Sequence, residues 1–108
     1  MFSPKKAGRS PPIGSKKSGE FVELGPGVAK SALGFVVAFR PPGGVEYSDS
    51  VGRKIRVDSE MNSLTFQHGL YAKSRDLRSM TPAQADEILA NIQRAMNFLG
   101  RATEILRD

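Results

Sequence analysis

Between residues 20 and 80 the apolar positions fall in short runs, each broken by glycine, proline or a polar cluster, which is the spacing of a β-rich segment. Phe21-Val22-Glu23-Leu24 is a short strand candidate, ended by Gly25-Pro26-Gly27. Residues 28–33 fit either a single helical turn or a loop. Gly34–Phe39 is rich in β-branched and aromatic residues without alternation, as expected of a central strand covered on both faces. Pro41-Pro42-Gly43-Gly44 forces a turn, after which Val45 and Tyr47 alternate with Glu46 and Ser48. Another turn is expected around Asp49-Ser50-Val51-Gly52. Arg53–Glu60 has the cleanest alternation, with Ile55, Val57 and Ser59 on one side and Lys54, Arg56, Asp58 and Glu60 on the other. Met61-Asn62-Ser63 can turn the chain back into Leu64–Gln67, with Leu64 and Phe66 inward. His68-Gly69 then reads as a two-residue turn before Leu70–Lys73.

From residue 81 the period changes to three and four. Thr81 is a good N-cap, Pro82 suits the first helical position, and Gln84 completes a capping box. Asp86 and Glu87 sit near the positive end of the helix dipole. Ala85, Ile88, Leu89, Ile92, Ala95, Met96 and Leu99 form one apolar stripe, which Ala102, Thr103 and Leu106 continue. The expected element is one long helix over about 82–106 with a weak point at Gly100; the alternative ends it there and leaves Arg101–Leu106 as a short strand. The strand connections are too short for parallel crossovers. The fold class is therefore α+β: an antiparallel meander of about four to five strands packed against one C-terminal helix, in a single domain over 20–108.

Composition changes this picture at the N-terminus. The 108 residues carry 16 Lys and Arg against 11 Asp and Glu, a formal charge of +5. Lys5, Lys6, Arg9, Lys16 and Lys17 stand in residues 1–19 with no acid, so the whole excess sits there and residues 20–108 are neutral. That arm, rich in Ser, Pro, Gly and Lys, lacks the apolar surface to offset its ordering entropy and is expected to be a disordered tail. The chain has no cysteine, which excludes disulfides, thiol nucleophiles and cysteine-bound zinc. The longest apolar run, Ala32–Phe39, is far short of a membrane span. A cytoplasmic protein without membrane contact or cofactor is expected.

Candidate chemistry is sparse. His68 is the only histidine, and nothing like a nucleophile elbow surrounds Ser63 or Ser74, so His68 reads as an idle turn residue. No D-x-D-x-D-G loop occurs, and Asp58 and Glu60 share their strand face with Lys54 and Arg56, which reads as a solvated charged face rather than a metal site. Gly25–Ser31 approaches a phosphate loop, but Ala29 stands where a glycine must precede the lysine. Ser3-Pro4-Lys5-Lys6 looks like the turn unit of some histone tails. Five cations on a flexible arm would attract any polyanion, with a log–log salt slope of roughly −4.5 on full neutralisation. The other candidate surface is a protein-docking face made by Arg53, Lys54, Arg56, Asp58 and Glu60, on a strand that could also be a sheet edge.

Val45-Glu46-Tyr47, then Gly52-Arg53-Lys54-Ile55-Arg56-Val57 and Glu60, a strand pair around Leu64–Lys73 and the helix Pro82–Leu99 together resemble small immunity proteins of bacterial polymorphic toxin systems, of the immunity protein 74 type. The resemblance covers about half the chain. That family has a tryptophan just before its helix, a neighbourhood held here by Leu77 and Met80. The resemblance implies a non-catalytic bacterial protein that binds and blocks a toxin, with Glu60, Arg53, Lys54 and Arg56 as carried-over positions. A small module binding another protein is thus the leading expectation; a nucleic-acid-associated protein acting through its tail is the alternative.

Overall fold

The computed structural model describes residues 20–40, 43–62, 64, 67–101 and 103–107. The tail assigned to 1–19 lies outside them, as do Ser63 and Phe66. The elements are β1 (Phe21–Gly25), β2 (Val28–Ser31), β3 (Val36–Arg40), β4 (Gly44–Ser48), β5 (Lys54–Asn62), β6 (Gln67–Tyr71), α1 (Arg75–Arg78), α2 (Pro82–Phe98) and β7 (Thr103–Leu106). The α+β class stands, but the described residues form seven strands, not four or five. They lie in the sheet in chain order, β1 through β6 antiparallel and β7 parallel to β6.

Residues 28–31 are a strand rather than a helical turn or loop. Gly27 takes φ +73°, which lets Gly25-Pro26-Gly27-Val28 reverse the chain tightly. Ala29 and Ser31 then face inward with Lys30 outward. β5 also differs from expectation, because it lies inside the sheet and is not an outer edge. Its first half pairs with β4 (Gly44↔Asp58, Tyr47↔Ile55) and its second half with β6 (Ser59↔Leu70, Met61↔His68). Opposite its first half, where β6 does not reach, the N–H groups of Arg56 and Asp58 donate to the Asp76 carboxylate and the Ser74 hydroxyl, both at 2.8 Å. Ser74 and α1 thus take the place of a neighbouring strand, satisfying donors that would otherwise be orphaned.

His68-Gly69 is not a turn but the middle of β6, and His68 is buried. Its ring meets Phe39 edge-on at 5.0 Å, although two strands separate β3 from β6. In a flat sheet those backbones would stand about 14 Å apart, so the sheet curls toward this face. Of the strand expected at Leu64–Gln67, Thr65 and Phe66 lie outside the described residues, Leu64 is 89% exposed rather than inward, and Gln67 is the first residue of β6. Without a turn at 68, the apolar residue that β6 turns toward the core is Leu70.

α2 begins at the capping box as the sequence predicts. It ends at Phe98, so the long helix to residue 106 is corrected to the shorter alternative. Gly100 takes φ +80°, its N–H bonds the Asn97 carbonyl, and the Arg101 N–H reaches back to Met96 at 2.8 Å. This pair of bonds is a Schellman stop, which closes the open carbonyls of the last turn. The residues after it gain backbone partners in β7, with α1 and α2 supplying the long crossover that a parallel pair requires. The stripe of α2 (Ile88, Leu89, Ile92, Ala95, Met96) closes the core against Val37, Val45, Tyr47, Ile55 and Val57. An aromatic chain runs through it: Phe98 stacks on Phe21 at 5.4 Å, Phe21 meets Phe35 edge-on, and Phe35 stacks on Tyr47.

Candidate functional site

Period two in β5 sends Ile55, Val57 and Ser59 into the core and leaves Lys54, Arg56, Asp58 and Glu60 exposed on the opposite side. Four of the five residues that the sequence offers as a docking face therefore share one surface. Arg56 Nε lies 3.6 Å from Asp58 Oδ1, and its guanidinium folds over Gly44, where an added Cβ would come within 2.4 Å of it. Across the sheet, Arg40 approaches Glu46 at 3.9 Å, and the Tyr71 hydroxyl donates to Glu60. That bond raises the Tyr71 pKa, since removing the phenol proton would place two anions together. The Tyr71 and Glu104 backbones continue this side of the sheet: Glu60 stands opposite Gly69, and Gly69 opposite Glu104. The surface carries both signs, basic at Lys54 and Arg56 and acidic at Asp58 and Glu60.

Arg53 is the fifth residue and belongs elsewhere. It precedes β5 and is held by the Asp49 turn. Asp49 Oδ1 accepts from the backbone N–H groups of Val51 (3.1 Å) and Arg53 (2.8 Å), while Oδ2 accepts from Arg53 Nε at 3.0 Å. The Asp49 N–H donates to the Arg53 carbonyl, and Gly52 at φ +92° makes the reversal possible. The Arg53 bonds hold the Asp49 carboxyl below its ordinary pKa. The guanidinium is thereby fixed through its Nε. It overhangs a cleft of about 220 Å³ between this turn and the start of α2. Tyr47, Ile55 and Ile88 floor the cleft, and Glu87 and Gln84 stand on its helix side. Asn91 donates to the buried Tyr47 hydroxyl at 3.2 Å and accepts from Arg94 at 2.6 Å, which fixes the ring from below.

His68 lies apart from both surfaces. Burial lowers its pKa, and the positive charge of Arg101 lowers it further. Arg101 sits 4.8 Å above the Phe39 ring, with its Nε buried and without a hydrogen-bond partner among the described residues. Among the described residues no group of three or more His, Asp or Glu is placed to hold a metal ion. No described helix is long and apolar enough to cross a membrane. Lys5, Lys6, Arg9, Lys16 and Lys17 lie outside the described residues. No family model, curated protein or solved structure matches the chain.

Sequence reasoning missed Asp49, Glu87 and Tyr47 as companions in one cleft. An Asp three residues before a Gly signals a side-chain-closed turn, so the role of Asp49 was available from the pattern. Nothing in the sequence linked that turn to Glu87, because the link is made only by packing α2 on β4 and β5.

Proposed function

We propose that this chain is a small non-catalytic module that binds another protein, a toxin on the immunity-protein resemblance, through the exposed face of β4 and β5. The observation that carries this reading is the array Lys54, Arg56, Asp58 and Glu60, in register and open to solvent on a rigid sheet whose other side is closed by α2. Mixed charges on a stiff surface suit partner choice, because a complementary array is attracted and a mismatched one repelled. His68 supports the non-catalytic reading, since it faces an aromatic ring and a guanidinium rather than a nucleophile.

The test is retention of one sequence-identified partner by the full chain and by Lys54→Glu/Arg56→Glu in the same chain. Loss of that partner from the double variant at unchanged fold is the expected result, and equal retention refutes the face. A second reading rests on the charge of residues 1–19: nucleic-acid association through the tail. Replacing Lys5, Lys6, Arg9, Lys16 and Lys17 with glutamine separates the two. Tail-driven binding to DNA collapses with moderate salt and with this replacement, whereas a shape-matched protein contact survives both.

A further inference from the structure

The cleft beneath Arg53 carries an inference independent of the docking face. Its volume, about 220 Å³, is below the range that takes nucleotides or cofactors and suits one residue-sized group. Its floor is apolar, with Tyr47, Ile55 and Ile88 each at most 8% exposed. Two groups of opposite charge on its walls keep bonding capacity open, Arg53 on one side, although it is ion-paired with Asp49, and Glu87 on the other. Arg53 spends its Nε on Asp49 and keeps its two Nη groups for another acceptor. Glu87 has no hydrogen-bond or ion-pair partner among the described residues, and it does not pair with Arg53 across the cleft. Gln84 is occupied on its oxygen by the Thr81 N–H at 3.2 Å.

Each simpler occupant leaves something unsatisfied. A phosphate or plain carboxylate would meet Arg53 but face the carboxylates of Glu87 and Asp49. A plain cation would meet Glu87 but face Arg53. A purely apolar group would strip water from both charges and return no bond. A carboxylate and an ammonium on one carbon satisfy both walls together, and an aliphatic side chain covers the floor. We propose that this cleft binds a small zwitterion, an apolar α-amino acid whose carboxylate meets Arg53, whose ammonium meets Glu87 and whose side chain lies on Tyr47, Ile55 and Ile88.

The test uses the full chain titrated with L-leucine, N-acetyl-L-leucine and L-leucinamide, followed by calorimetry and by backbone amide shifts. Leucine is expected to bind and to move the amides of Tyr47, Arg53 and Ile88. Acetylating the ammonium, amidating the carboxylate, or the exposed substitution Glu87→Gln should each weaken binding by about fivefold or more, the loss of one charge-assisted hydrogen bond at a partly wet site. Arg53→Gln should act like amidation of the ligand. Should that variant loosen the Asp49 turn, the two ligand derivatives on the native chain still decide. No shift with leucine at tens of millimolar overturns the proposal. Equal binding of both derivatives, or shifts confined to residues away from the cleft, overturns it as well.

Discussion

Gly100 decides between two continuations of the chain, and Gly100→Ala tests how strongly. Its φ of +80° lies in the left-handed region, and a Cβ built there meets nothing within 4 Å. The substitution therefore carries no steric clash with the rest of the fold, and its cost is the backbone energy of an L-residue in that region, about 1–2 kcal/mol. Alanine also narrows the unfolded ensemble, which adds to the cost of nothing in the folded state but offsets some 0.4–1 kcal/mol of it in the balance. A net loss of about 1 kcal/mol is expected, or roughly 4–8 °C in Tm for a domain of this size. Alanine additionally favours a helical residue 100, and Ala102, Thr103 and Leu106 continue the apolar stripe if the helix runs on. The assay is urea unfolding with far-ultraviolet circular dichroism, on the native chain, Gly100→Ala and Gly100→Asn. Asparagine tolerates positive φ and should recover most of the loss. Alanine as stable as glycine, or asparagine no better than alanine, would refute the reasoning that a left-handed residue stops α2.

Three further outcomes follow from the packing and hydrogen bonding. Ile92 is fully buried, so Ile92→Ala should cost about 2–5 kcal/mol in urea unfolding, while Leu64→Ala, at 89% exposure, should stay within about 0.5 kcal/mol. Asp76→Ala removes the acceptor of the Arg56 N–H and should cost about 1 kcal/mol; unchanged hydrogen exchange at the Arg56 amide would contradict that role. The folded pKa of His68 lies below its ordinary 6.5, so the unfolded chain binds more protons below that pH. Its contribution is intact above pH 6.5 and is lost as pH falls through 6.5 toward the folded value. The unfolding midpoint of the native chain should therefore drop more between pH 7.5 and 5 than that of His68→Gln, and parallel curves would count against burial as the cause.

The strand and helix faces were legible wherever one periodicity ran without competition. Ile55 and Val57 alternate cleanly with charged residues, and Thr81-Pro82 with Gln84 marks one helix start and no other. The misreadings arose where two local signals compete. His68-Gly69 is a plausible turn pair by composition, yet Gly69 is needed in mid-strand because Leu106 packs over it, 2.6 Å from where a Cβ would stand. Val28–Ser31 is too short to show a period, and only its pairing with β1 and β3 makes it a strand. At the site, the side of β5 was legible and the position of Arg53 was not. Strand alternation ends at Lys54, and the Asp49 turn rotates Arg53 out of the pattern.

The order of strands in the sheet, identical to their order in the chain, has a consequence for how the molecule assembles. Pairing from β1 to β6 joins segments separated by short connections, whereas β7 must return to β6 across some thirty residues. A loop about six times longer than a five-residue one costs roughly 1.6 kcal/mol more to close. The meander can zip progressively from its N-terminal end, and the β6–β7 joint comes late, once α2 has shortened the gap. During synthesis β1 to β6 would emerge first with their apolar face uncovered, α2 would follow to seal it, and β7 would join the sheet after α2. Substitutions in β7 should accordingly speed unfolding and leave the folding rate nearly unchanged.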